Sequence, residues 1–175
     1  MRSTLKVYDL TAGARVVLQT DRLIEAPNWS PDGAELLVNE GGALWQVPLA
    51  APKLLAVDTG GITRCNNDHG YSPDGRWIVF SAHHRGVGAE IYRVPRGGGQ
   101  AERVSNMAPS WWHGFSPDGR DMVYAAARGD RVVDVYRCPF GGGPEVRLTF
   151  GEGHSDGPEF SADGSRVYYN CDRGG

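Results

Sequence analysis

The chain has 175 residues, with 18 Lys and Arg against 21 Asp and Glu and a formal charge of -3. That length suits one domain with a real core, and basic residues that never form a run leave no electrostatic footprint for duplex nucleic acid or an anionic bilayer. Abundant glycine and evenly spread charge exclude a disordered chain, and no segment approaches the roughly 18 apolar residues of a membrane span.

From the N-terminus, KVYDLTAGARVVLQT reads as strand, turn, strand. PNWSPDGAELLVN follows from Pro27, and then ALWQVPLAAPKLLAV. The same two elements return as HGYSPDGRWIVFS from His69 with EIYRVPRGGGQAERVS, and as HGFSPDGRDMVYA from His113 with DVYRCPFGGGPEVRLT. PEFSADGSRVYYN from Pro158 begins a further copy. The aligned serines Ser30, Ser72, Ser116 and Ser161 are spaced by 42, 44 and 45 residues, the period of a four-stranded propeller blade. We therefore expect an all-β chain, a β-propeller of four-stranded antiparallel blades forming a single domain over residues 1–175. Three blades are complete, and joining the N- and C-terminal strand pairs would make a fourth.

Turn chemistry explains the repeated Ser-Pro-Asp-Gly. Pro suits the second position of a type I turn, Ser or Asp bonds the local backbone, and Gly takes the positive φ of a bulged hairpin. The following RWIVF and ELLV are apolar on both faces, as a blade between two neighbours requires. Trp29, Tyr71, Phe115 and Phe160, each just before its serine, are expected to fill the cores between blades.

The first strand of a propeller blade is innermost, so the residues before each turn gather around the central channel. Three places before the aligned serines stand Pro27, His69, His113 and Pro158. Asn66, Asn67 and Asp68, then Trp111 and Trp112, then His154, Ser155 and Asp156 surround them, a heavier polar load than the turns require. From these we select Asn67, Asp68, His69, Trp112, His113, His154 and Asp156 as candidate ligand-binding residues for a protein or a small polar ligand such as a saccharide. Each also has a structural reading, since Asx residues cap backbone groups and tryptophans pack.

Other chemistries are less well supported. A divalent metal could use His69, His113, His154, Asp68 or Asp156, but no HxH or HExxH pair sets a geometry, so no cofactor is expected. Serine hydrolysis lacks a GxSxG elbow, and the HHRG segment at His83 reads as a solvated loop. The glycine runs at Gly97 and Gly141 lack the lysine and helix of a phosphate loop. Cys65, Cys138 and Cys171, far apart and without CxxC spacing, read as free thiols.

These repeats resemble the TolB-like β-propeller family, whose blades carry an aromatic-Ser-Pro-Asp-Gly turn, an IYR-type third strand, a Gly-Gly hairpin and a closing LT. The matching residues are Tyr71 to Gly75, Ile91 to Arg93, Gly97 to Gly99, and Leu148 with Thr149. The resemblance implies a non-enzymatic binding or protein-interaction module working through its channel mouth. Metal-assisted processing of a carbohydrate or peptide is the alternative. Because family members usually have six blades, three readings of the chain ends stay open: a closed four-bladed ring, a truncated larger ring, or a homo-oligomer that pairs chains. MRSTLKVYDLTAG has no apolar signal segment, so the expected location is cytoplasmic, or periplasmic if the family role holds.

Overall fold

A computed structural model describes residues 2–129 and 132–173. Among these residues, sixteen strands fall into five antiparallel sheets. The N-terminal pair is β1 (Ser3–Asp9) and β2 (Gly13–Thr20). The first full blade holds β3 (Glu25–Trp29), β4 (Glu35–Glu40), β5 (Ala43–Pro48) and β6 (Leu55–Ala56). Next come β7 (Cys65–Tyr71), β8 (Trp77–His84), β9 (Gly88–Pro95) and β10 (Glu102–Arg103). The third blade is β11 (Ser110–Phe115), β12 (Asp121–Ala127), β13 (Val133–Pro139) and β14 (Val146–Arg147). A C-terminal pair, β15 (Ser155–Phe160) and β16 (Val167–Cys171), follows.

Within each full blade the strands pair in chain order. The first strands lie side by side, β3 next to β7, β7 next to β11 and β11 next to β15, so they line one axis. The two terminal pairs form separate two-stranded sheets, and no ladder joins them among the described residues. No helix there is long and apolar enough to cross a membrane.

Sandwiching explains the second strands. β4, β8 and β12 are buried on both faces along almost their whole length, because each blade packs against a neighbour on either side. Leu37 and Leu44 of one blade meet Tyr71, Ile78 and Phe80 of the next. Val79 and Ile91 in turn meet Trp112, Met122 and Tyr124. Burying a side chain of this size stabilises the fold by roughly 1.5–3 kcal/mol relative to leaving it exposed.

The four turns share one hydrogen-bond pattern. Ser30, Ser72, Ser116 and Ser161 each donate from Oγ to the Asp two residues on, at 2.6, 2.5, 2.7 and 2.5 Å. Each Oγ also accepts the N–H of the residue five places on, at 3.0 to 3.1 Å. Gly33, Gly75, Gly119 and Gly164 sit at φ between 67° and 71°, the left-handed region that a side chain resists. The serine hydroxyls hold the carboxyls of Asp74 and Asp163 down at about 2 and push Asp118 the same way. Successive turns also touch: the rings of Pro31, Pro73 and Pro117 lie against Gly75, Gly119 and Gly164 of the following turn.

One expectation needs correcting. Tyr71 is buried and Phe115 packs on the second core, but Trp29 is 51% exposed and Phe160 lines a surface cleft beside its turn. Tyr71 donates its hydroxyl to Glu35 on the second strand of the preceding blade. The sheet before Trp29 is only the pair β1 and β2, which supplies no equivalent of that strand.

Candidate functional site

Each of the inner strands β3, β7, β11 and β15 contains a register shift before its turn. A one-residue bulge turns the side chains beyond it to the other face, and here it separates two histidines that align in sequence. In β7, His69 pairs with Phe80. In β11 the rung equivalent to Phe80 is Tyr124, and Trp112 faces it, leaving His113 as the extra, unpaired residue. His69 and Trp112 are thus structural counterparts, each buried towards the preceding blade, at 2% and 7% exposure.

His69 is held in the interior with Nδ1 3.3 Å from the Asn66 carbonyl, and burial keeps its pKa below the ordinary value. Trp112 lies across Gly70, where an added Cβ would come within 2.7 Å of the indole ring. Its backbone N–H donates to Ser81 Oγ at 2.8 Å. Neither side chain lines the channel-mouth cleft.

His113 does. Its bulged position turns the ring outward, and Nε2 lies 3.0 Å from Asp156 Oδ1 of β15. Asp68 from β7 and His154 join this pair in a cleft of about 170 Å³, with Trp111 and Val133 completing the lining. Four of the seven candidates therefore converge, from three successive blades. Asn67 stands outside the cleft, where its Oδ1 accepts from Asn39 Nδ2 at 3.1 Å. Asp68, Trp111, His113 and Asp156 form the working set.

Charge in the cleft is unevenly balanced. Burial raises the pKa of Asp68; His113 and His83 pull it down, and Asp156 pushes it up. Asn66 Nδ2 donates to Asp68 Oδ2 at 2.5 Å. Glu159, whose carboxylate sits directly over Gly114, is also raised by burial and eased by His113. The inner strands β3, β7, β11 and β15 carry no Lys or Arg. Among the described residues no three His, Cys, Asp or Glu side chains gather in a group able to hold a metal.

The sequence selects Trp112, whereas Trp111 is the tryptophan that lines the cleft. Alternation along an extended strand places residues 111 and 113 on one face and 112 on the other, so once His113 is chosen the period of two already points to Trp111. The outward turn of His113 and the inward turn of His69 depend on bulge position, which no local residue type announces.

No family model matches the sequence. Over its whole length the chain is 46% identical to an uncharacterized protein of Agrobacterium fabrum, of which it covers 60%. It superposes on the structure of a TolB-like protein from Agrobacterium tumefaciens with a TM-score of 0.94 at 46% identity, using all of this chain and 64% of the other. TolB from Acinetobacter baumannii superposes with a TM-score of 0.78 at 25% identity, over 98% of this chain and 44% of its own. The chain spans less than two thirds of the length of each of these relatives. Its blade repeat, its turn pattern and these two superpositions make the chain similar to TolB-like β-propellers along its whole length.

Proposed function

We propose that residues 1–175 act as a single propeller domain and a non-enzymatic binding module, which holds a polar group of a protein partner in the channel-mouth cleft. The observation that carries this reading is the convergence of Asp68, His113 and Asp156 from three blades beside the half-buried Trp111. A repeat needs no such cluster for folding, because the turns at the other end of the same strands already satisfy their own backbone. At about 170 Å³ the cleft takes one side chain or one sugar ring, well below the roughly 300–1,000 Å³ of drug-sized sites. His113 can donate or accept, the carboxylates accept, and Trp111 offers an apolar edge.

The test is a titration of labelled protein with two probe sets, N-acetylated amino-acid amides and methyl glycosides, followed at the Trp111 indole resonance. One set should perturb Trp111 and lose that effect in His113→Ala while the melting temperature stays put. Silence from both sets, or a response that survives His113→Ala and Asp156→Asn together, would end this reading. By likeness to TolB we propose the periplasm as its working location, which cell fractionation with the native gene checks. Self-association is a separate proposal, read by light scattering: a concentration-independent monomer mass removes it.

A further inference from the structure

The two terminal sheets are complementary halves of one blade. β1 and β2 precede the first full blade, where Leu5 and Val17 pack on Leu36, Val38 and Val47, and β15 and β16 follow the third. KVYDL from Lys6 aligns with EIYRV from Glu90 and DVYRC from Asp134, so β1 stands where a blade has its third strand. β16, directly after its turn, is a second strand. In every full blade the second and third strands pair. Among the described residues β1 pairs only with β2 and β16 only with β15, which leaves one open edge of each kind on the same chain.

Side chains along the two edges match position by position. Phe80 stacks on Tyr92 with ring centroids 5.8 Å apart, and Tyr124 on Tyr136 at 6.0 Å. The corresponding residues of the half-blades are Tyr169 and Tyr8, which are 47% and 71% exposed. Charge agrees as well. In each full blade the third-strand residue after the aromatic reaches the residue five places beyond the turn serine. Gln46 Nε2 donates to Glu35 at 3.0 Å, the Arg93 guanidinium lies 4.7 Å from the centre of the Trp77 ring, and Arg137 pairs with Asp121 at 2.6 Å. In the half-blades these positions hold Asp9 and Arg166, opposite charges in the reverse order and both exposed. Tyr168, at the place of the fully buried Val79 and Val123, is exposed too. Beside β1 lies an open groove of about 340 Å³, with Leu5, Ile24, Pro27 and Val38 as its apolar lining.

We propose that β16 of one copy pairs with β1 of a second copy, completing between two chains the blade that each carries as separate halves. Tyr169 then stacks on Tyr8, Arg166 pairs with Asp9, and Tyr168 enters the groove beside Leu5. The occupant is another copy because the two edges match in charge and in aromatic register, while within one chain they belong to sheets that no ladder joins. Each copy offers one edge of each kind, so the contact is head to tail. This inference rests on the self-association proposed above and gives it a surface.

Charge exchange tests it on the full chain under reducing conditions, by sedimentation velocity across a concentration series. The unaltered chain should associate, and Asp9→Arg and Arg166→Asp should each weaken that association about tenfold by setting like charges opposite each other. Mixing the two variants should restore it, because the mixed contact again brings opposite charges together. Closure within one chain would leave each variant in the mixture as it was alone, and a folding defect would not be rescued by mixing either. Dimers and longer assemblies both support the surface. A monomer at every concentration ends the self-association and this surface together. Association that neither variant weakens, or variants that stay weak when mixed, would overturn this surface alone.

Discussion

The inner strands have two ends that behave differently. At the C-terminal end, four blades repeat one turn, with the same serine-to-aspartate bond, the same left-handed glycine and, between successive turns, the same proline-on-glycine contact. At the N-terminal end the corresponding residues share almost nothing: Glu25 in one blade, Asn66 to Asp68 in the next, Trp111 and His113 in the third, and His154 and Asp156 in the last. The same architecture supports both, so the fold does not demand the second set. Identity across blades marks what the propeller needs to stand, and divergence at equivalent positions is what the proposed binding surface rests on.

That contrast predicts where substitutions hurt, beginning with the shared interior. Phe80, fully buried on the rung that Tyr124 occupies one blade later, should cost roughly 3–5 kcal/mol when changed to Ala, measured by denaturant unfolding. A loss below about 1 kcal/mol would break the picture of a rigid core between blades. Next come the turns. Ser72→Ala and Ser116→Ala each remove an Oγ that donates to an aspartate and accepts a backbone N–H, and each should cost about 1–2 kcal/mol. If the two copies differ by more than the effect itself, the turns are not equivalent units. Acid unfolding sharpens the point: Asp74 titrates at about 2 when folded, below the ordinary range near 3.9. Its stabilisation is present above that range and is lost as pH falls towards 2.

Smaller effects separate the two aligned histidines. Because burial lowers the folded pKa of His69, the unfolded chain takes up a proton below about pH 6.5 that the folded chain resists. Stability should therefore fall as pH drops from that point, and a His69→Gln variant should show a flatter profile. Substituting His113 with Ala should move stability by no more than about 0.5 kcal/mol while removing ligand response at Trp111. Equal behaviour of the two would contradict the bulge assignment. The smallest effect falls on Asp68. Its folded pKa is raised, so the folded state retains its proton more readily and loses stability as pH rises through the raised value. Asp68→Asn should then be slightly stabilising at neutral pH, by about 0.5 kcal/mol or less, a gain expected where a charge is kept for binding.

Much of this was legible in the residues themselves. Serine spacing gave the blade period, Ser-Pro-Asp-Gly gave the turn and its glycine conformation, and doubly apolar runs gave the sandwiched strands, because each rests on chemistry within a few residues. Polar excess before the turns located the mouth, and Asp68, His113, His154 and Asp156 do meet there. His69 and Trp112 turned inward because a bulge shifted one residue between blades that align without gaps in sequence. Trp29 lost its cover because its packing surface belongs to the preceding blade.

By itself, then, the sequence determined the repeat, the strand order within a blade and the end of the inner strands where polar residues collect. Those properties follow from local turn geometry and from hydrophobic periodicity, which short segments carry alone. Tertiary structure decided which of two aligned histidines faces the cleft and which tryptophan joins it. Each depends on the offset of one strand against another or on contacts between blades, and such distances are set only when neighbouring sheets pack together.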